Sequence, residues 1–78
     1  MSLVQPREVF EPAISKKAAV VIVAHNHPSG KIDPSTEDRE ITRQLVETGR
    51  IIGIEVLDHL IVTGSEYFSF KQELLISV

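Results

Sequence analysis

The apolar run Ala18-Ala19-Val20-Val21-Ile22-Val23-Ala24, and the His25-Asn26-His27-Pro28 that closes it, constrain this chain more than any other stretch. A run of small and β-branched residues without alternation predicts a strand over residues 18–25 that is covered on both faces, hence central in a helix-flanked sheet. Side chains on a strand alternate between faces, so His25 and His27 share one side and Asn26 takes the other. Both imidazoles can then reach one ion. Pro28 has no N–H to offer a ladder and fixes its own φ, which stops the strand and opens the loop Ser29-Gly30-Lys31-Ile32-Asp33-Pro34.

Ser35 follows a proline and precedes an acidic turn, the mark of a helix start, and Ser35-x-x-Asp38 approximates a capping box. The helix carries Ile41, Leu45 and Ile52 as its packing stripe, flanked by Val46 and Ile51. Gly53 is the natural stop, with Gly49 an earlier alternative. Asp38 precedes Ile41 by three residues, which sets its carboxylate at the head of the packing face, apart from the solvent-side Glu37, Arg39 and Glu40. A buried acid needs a partner, because an unpaired charge is costly to desolvate. Two imidazoles and a carboxylate form an N/O donor set that suits a zinc ion keeping its fourth position for water. The same set also occurs in iron oxygenases, but no other feature here suggests an oxidative cosubstrate. The plainer readings are a capping role for Asp38 and an N-cap role for Ser35, which physical preference alone explains.

The remaining elements place this cluster in a layered fold. Pro6 suits the first turn of a helix over residues 6–17, with Val9, Phe10, Ala13, Ile14 and the stem of Lys17 on one side and Pro12 as a kink or break. Residues 54–63 read as a second strand, 64–66 as a turn, and Tyr67-Phe68-Ser69-Phe70 as a third strand whose aromatics pack. Residues 71–78 fit either a helix or an extended end. Helix, strand, helix, strand, strand is an α/β order. If the first two strands are parallel neighbours, the helix between them makes a right-handed crossover and the cluster lies at the carboxyl end of the first strand. Asp58 and His59, inside the second strand, are candidates for holding a ligating histidine through its other ring nitrogen. A mutually satisfied buried pair is the alternative.

Composition narrows the function classes. The chain has 78 residues, enough for one domain with a single core, and its hydrophobic share of 42% with only 5% aromatics makes that core aliphatic. Eleven acidic against eight basic residues give a net charge of −3, and the basic ones are scattered, which lends no support to a nucleic-acid-binding face. Without cysteine, a metal must be held by His, Asp, Glu or backbone oxygen. No apolar run approaches the ~20 residues of a membrane span and no signal peptide pattern opens the chain, so the expected location is the cytoplasm. Met1-Ser2-Leu3 has the look of a cloning leader.

The spacing H-x-H-P-x6-S-x-x-D resembles the JAMM motif of the JAB/MPN+ metal-dependent isopeptidases. The fuller set, His25-Asn26-His27-Pro28-Ser29-Gly30, Pro34-Ser35-x-x-Asp38, Thr42, Gly53-Ile54 and Val56-Leu57-Asp58-His59, resembles the bacterial RadC group of that superfamily from about Pro6 to the end. The resemblance implies a three-layer α/β/α fold of the cytidine-deaminase-like kind and a zinc-dependent peptidase or isopeptidase activity, with its peptide substrate unidentified. It also implies that Ser35 donates a hydrogen bond to the oxyanion formed when activated water attacks a carbonyl. The family's general base is a glutamate well upstream of the histidines. Here the candidates are Glu8 and Glu11, and both fall off the apolar stripe of the first helix. The chain therefore reads, over residues 1–78, as a partial RadC-like JAB/MPN domain truncated at its N-terminus. Its sheet should keep a free edge, open to pairing with a second copy. The alternatives to a hydrolase are a non-catalytic MPN-type interaction module and a DNA-repair-associated RadC protein without protease activity. The contiguous His-Asn-His is no evidence for an HNH nuclease, whose namesake residues are dispersed along a different fold.

Overall fold

In the computed structural model, which describes residues 5–73, helix α1 (Pro6–Ser15) leads into strand β1 (Val20–Asn26). Helix α2 (Thr36–Ile52) then crosses to β2 (Glu55–Val62), and a turn returns as the short β3 (Tyr67–Ser69). β1 and β2 pair in parallel and β2 and β3 antiparallel, so the α/β order read from the sequence forms a small mixed sheet in the order β1-β2-β3.

Local chemistry sets the helix limits. At the start of α1 the Glu8 carboxylate accepts the Gln5 N–H at 2.8 Å, and Pro6 takes the first helical position. Pro12 stays inside the helix, which continues past it with Lys16 N–H on the Pro12 carbonyl at 3.0 Å. The helix ends at Ser15, short of the expected residue 17, because Lys17 turns left-handed at φ 57° and Ala18 N–H folds back to Ala13. Phe10 and Ala13 are buried as expected, whereas Ile14 is 56% exposed.

The packing stripe of α2 is Asp38, Ile41, Thr42, Leu45 and Gly49. It leaves out Ile51, 82% exposed, and Ile52, both expected inside. Gly49 is the reason. A Cβ there would sit 2.2 Å from the Ile54 carbonyl oxygen, so the last turn of the helix lies against the start of β2 at a distance only glycine permits. The Gly49 carbonyl accepts both Gly53 N–H at 2.8 Å and Ile54 N–H at 2.9 Å, and Gly53 stops the helix at φ 81°.

Phe10 and Ala13 of α1, Ile41 and Leu45 of α2, Val23, Ile54 and Val56 make one core, with both helices on the same face of the sheet. Ile22, 58% exposed, and Val20 point the other way. Two expectations for β1 are therefore corrected among the described residues: it is an edge strand, not a central one, and its burial alternates despite its uniform apolarity. The run carries more hydrophobicity than these layers cover.

One irregularity of β2 governs the site. The register passes from Val21 opposite Val56 to Ile22 opposite Asp58, so Leu57 is the extra residue of a bulge. A side-chain period of two would put Val56 and Asp58 on the same face; the bulge inverts that parity. His59 and Ile61 turn inward beneath α2, and Asp58 turns outward. Residues 71–73 form a turn, and the rest of the end left open between helix and extended lies outside the described residues. Among those described, no helix is long and apolar enough to cross a membrane.

Candidate metal centre

Three side chains, two from β1 and its continuation and one from the start of α2, gather at one point. His25 is the penultimate residue of β1, and His27 keeps the line of the strand beyond its end by donating its N–H to the Val62 carbonyl at 3.1 Å. Asn26 faces the opposite side and is exposed. After Pro28 the chain reverses, with Gly30 N–H on the His27 carbonyl at 3.0 Å and Gly30 at φ 83°. This reversal brings the Lys31 carbonyl to His27 Nδ1 at 2.9 Å. A carbonyl only accepts, so Nδ1 carries the proton and Nε2 of the neutral ring keeps its lone pair.

Asp38 arrives from the first turn of α2 and is 1% exposed. Its two plain readings turn out to be compatible. Oδ2 closes the capping box by accepting the Ser35 N–H at 2.7 Å, while Ser35 Oγ accepts the Asp38 N–H at 3.0 Å. The box pins the carboxylate and turns Oδ1 inward, 3.1 Å from His25 Nε2; His27 Nε2 lies 3.2 Å from Oδ2. The candidate ligand atoms of His25, His27 and Asp38 all lie within 4.8 Å of one another.

Two of these atoms, His25 Nε2 and Asp38 Oδ1, are buried with no hydrogen-bond partner among the described residues. An imidazole nitrogen facing a carboxylate oxygen in a desolvated place needs positive charge between them, carried by a ring proton or by a metal ion. A divalent cation fits this gap. The 3.1 Å separation is close to the ~3.3 Å edge of a tetrahedron with metal–ligand bonds of about 2.0–2.1 Å, and neutral imidazole with carboxylate is a donor set zinc accepts. The electrostatics agree. Burial alone would raise the pKa of Asp38, but the Ser35 N–H and hydroxyl, then the two imidazoles, outweigh it and hold the carboxyl below its ordinary value.

Behind the cluster stands His59, 1% exposed, with Nε2 at 2.9 Å from His25 Nδ1 and Nδ1 on the Thr42 hydroxyl. Its ring stacks on Phe70 with centroids 4.9 Å apart and an interplanar angle of 9°. Burial first, and then the neighbouring His25, push its pKa down to about 4, so it is neutral at pH 7. Asp58 is different. Its carboxylate accepts from His59 N–H at 2.7 Å, Lys71 N–H at 3.0 Å and Ser69 Oγ at 2.5 Å, so it ties the turn after β3 to β2 and touches neither imidazole of the cluster. Thr42, on the same helical face as Asp38 four residues earlier, is the functional candidate that residue-by-residue reading passed over; the i, i+4 spacing was the available signal. Glu8 and Glu11 are exposed on α1, and Glu8 is engaged with Gln5.

Fold and cluster together define a small α/β domain with a metal-compatible His-His-Asp centre where a strand ends and a helix begins. Residues 1–75 match the family model of the RadC-like JAB domain, and the chain belongs to that family. It is similar to a UPF0758 protein of Rubrobacter xylanophilus, 65% identical over 71 residues, covering 91% of this chain and 31% of the relative. Similar matches are a UPF0758 protein of Symbiobacterium thermophilum, at 62% identity over 97% of this chain and 32% of the relative, and one of Clostridioides difficile, at 55% over 96% and 32%. The chain thus spans about a third of the length of the curated relatives it matches.

Proposed function

We propose that this chain carries the zinc site of a hydrolase-type domain acting on an amide bond, with His25, His27 and Asp38 as the protein ligands. The observation that carries the reading is the pair of buried lone-pair atoms, His25 Nε2 and Asp38 Oδ1, 3.1 Å apart and without partners among the described residues. Zinc held there would supply a Lewis acid for the scissile carbonyl and activate water for attack near neutral pH. The chain's own residues do the rest. Lys31 and the Val62 carbonyl fix the His27 ring and backbone, and the capping box fixes the Asp38 carboxylate. Ser35 Oγ accepts the Asp38 N–H and keeps its own proton free on an exposed side, where it can donate to an oxyanion.

The general base is proposed to come from outside these residues. Among those described, only His25, His27 and Asp38 form a metal-compatible cluster, and Glu8 and Glu11 point to solvent. This supports treating residues 1–78 as part of a larger RadC-like JAB domain. The same observation favours a second reading, a metal-binding module of this family without protease activity. Metal analysis and a hydrolysis assay on the purified chain test the site that both readings share. The expectation is stoichiometric zinc with little cleavage of a peptide or isopeptide substrate. Chelator-sensitive cleavage by this chain alone would show that a base lies within it, and absence of zinc binding would sink both metal readings.

A further inference from the structure

A metal ligand must present a lone pair, and a histidine has two nitrogens on which the single proton of its neutral ring can sit. For His27 the Lys31 carbonyl decides the matter directly. For His25 the decision is made at a distance, across three elements.

One group in this neighbourhood has no choice. The main-chain carbonyl of Asp38 can only accept, and Thr42 Oγ1 lies 2.7 Å from it. An oxygen that close to a carbonyl oxygen needs its own proton between them, so the Thr42 hydroxyl donates to Asp38. With that proton committed, Thr42 Oγ1 can only accept from its other neighbour, His59 Nδ1. His59 is buried against Phe70, and its Nδ1 therefore bears the proton of the neutral ring. Its Nε2 is then a lone pair, and His25 Nδ1, 2.9 Å away, must be the donor. His25 Nε2 is left unprotonated, facing Asp38 Oδ1. The opposite polarity would set two acceptors, the Thr42 hydroxyl oxygen and the Asp38 carbonyl, 2.7 Å apart with nothing between them.

We propose that Thr42 and His59 are positioning residues that fix the proton pattern of His25. A one-way chain of hydrogen bonds runs from the Asp38 carbonyl through Thr42 and His59 to His25 Nδ1 and delivers the His25 lone pair to the side of the metal site. The chain begins on the backbone of one candidate ligand and ends beside that ligand's carboxylate, so α2, β2 and β1 are keyed together around the site. The Leu57 bulge is part of the device, since without the parity change His59 would face away. The consequence for metal binding rests on the zinc reading above; the proton pattern does not.

Long-range 1H–15N correlation spectra of the histidine rings in the metal-free chain, at a pH of about 8, read the pattern directly. The expected result is a proton on Nδ1 of both His25 and His59. Thr42→Val, which keeps the shape and removes the hydroxyl, should move the His25 proton toward Nε2 and weaken zinc binding about 10-fold or more, and Thr42→Ser should restore both. A purely structural Thr42 would lower stability and leave the His25 proton on Nδ1, which would overturn the proposal. So would protons on Nε2 of His25 and His59 in the unsubstituted chain, a result that stands even if Thr42→Val does not fold. Correct tautomers in a chain that takes up no zinc would sink the metal reading and spare the relay.

Discussion

Two polar clusters, one half-buried and one largely buried, lie back to back across adjacent residues of β2, and they end differently. On the outer side, Asp58 accepts from His59 N–H, Lys71 N–H and the Ser69 hydroxyl, and Ser69 Oγ in turn accepts the Gln72 N–H at 3.1 Å. Every polar atom of that carboxylate is used within the fold. On the inner side, the cluster of His25, His27, Asp38, His59 and Thr42 leaves the buried pair His25 Nε2 and Asp38 Oδ1 without hydrogen-bond partners, and His27 Nε2 stands beside Asp38 Oδ2 at 3.2 Å. The difference is physical: a polar cluster satisfied throughout holds structure, whereas one left open at two facing buried atoms is compatible with a metal ion.

The contrast can be broken first at Asp58. Replacing it with Ala strands three donors at the base of β3, so the chain should lose about 3 kcal/mol of stability in urea unfolding. The zinc affinity of the folded fraction should be unchanged, and a comparable loss of affinity would merge the two clusters into one.

Acid should act next, and on the inner cluster. The pKa of His59 lies at about 4 in the fold against 6.5 in a model peptide, so the unfolded chain binds this proton before the folded one does. The metal-free chain should therefore keep its full stability above pH 6.5 and lose up to about 3 kcal/mol as the pH falls toward 4. Asp38, whose pKa is lowered, adds a loss of the same sign below its ordinary value of 3.8. His59→Gln should flatten the upper window only; an unchanged slope there would mean that another group titrates.

Smaller effects sharpen the account. Ser35→Ala removes the side-chain half of the capping box and should cost about 1 kcal/mol. Asp38→Asn should be gentler still in the absence of metal. Its carbonyl can keep the Ser35 N–H while its amide donates to His25 Nε2, so stability should hold or rise by about 0.5–1 kcal/mol. A large loss would show that the facing lone pairs were never in conflict.

Much of this was legible in the sequence, and the reasons are local. The period of two put His25 and His27 together, and the step of three from Asp38 to Ile41 turned the acid inward, because both depend only on repeats within one element. The parallel pairing of β1 and β2 across α2, which the element order allowed as a condition, is what the sheet shows. What stayed hidden depends on contacts between elements. The Leu57 bulge sorts Asp58 from His59, and nothing in Val56-Leu57-Asp58-His59 announces which residue is extra. The exposure of Ile51 and Ile52 follows from how closely Gly49 meets Ile54, and that of Val20 and Ile22 from the layers that happen to face β1. Apolarity marks what is able to be buried, and packing decides what is.

The central claim is convergence of three side chains on one cation, and a zinc titration followed by calorimetry tests it most directly. The account predicts one zinc per chain, with His27→Ala and Asp38→Asn each weakening binding by about 100-fold or more while their folded signatures persist. Zinc binding that is absent, or that survives both substitutions unchanged, would contradict it.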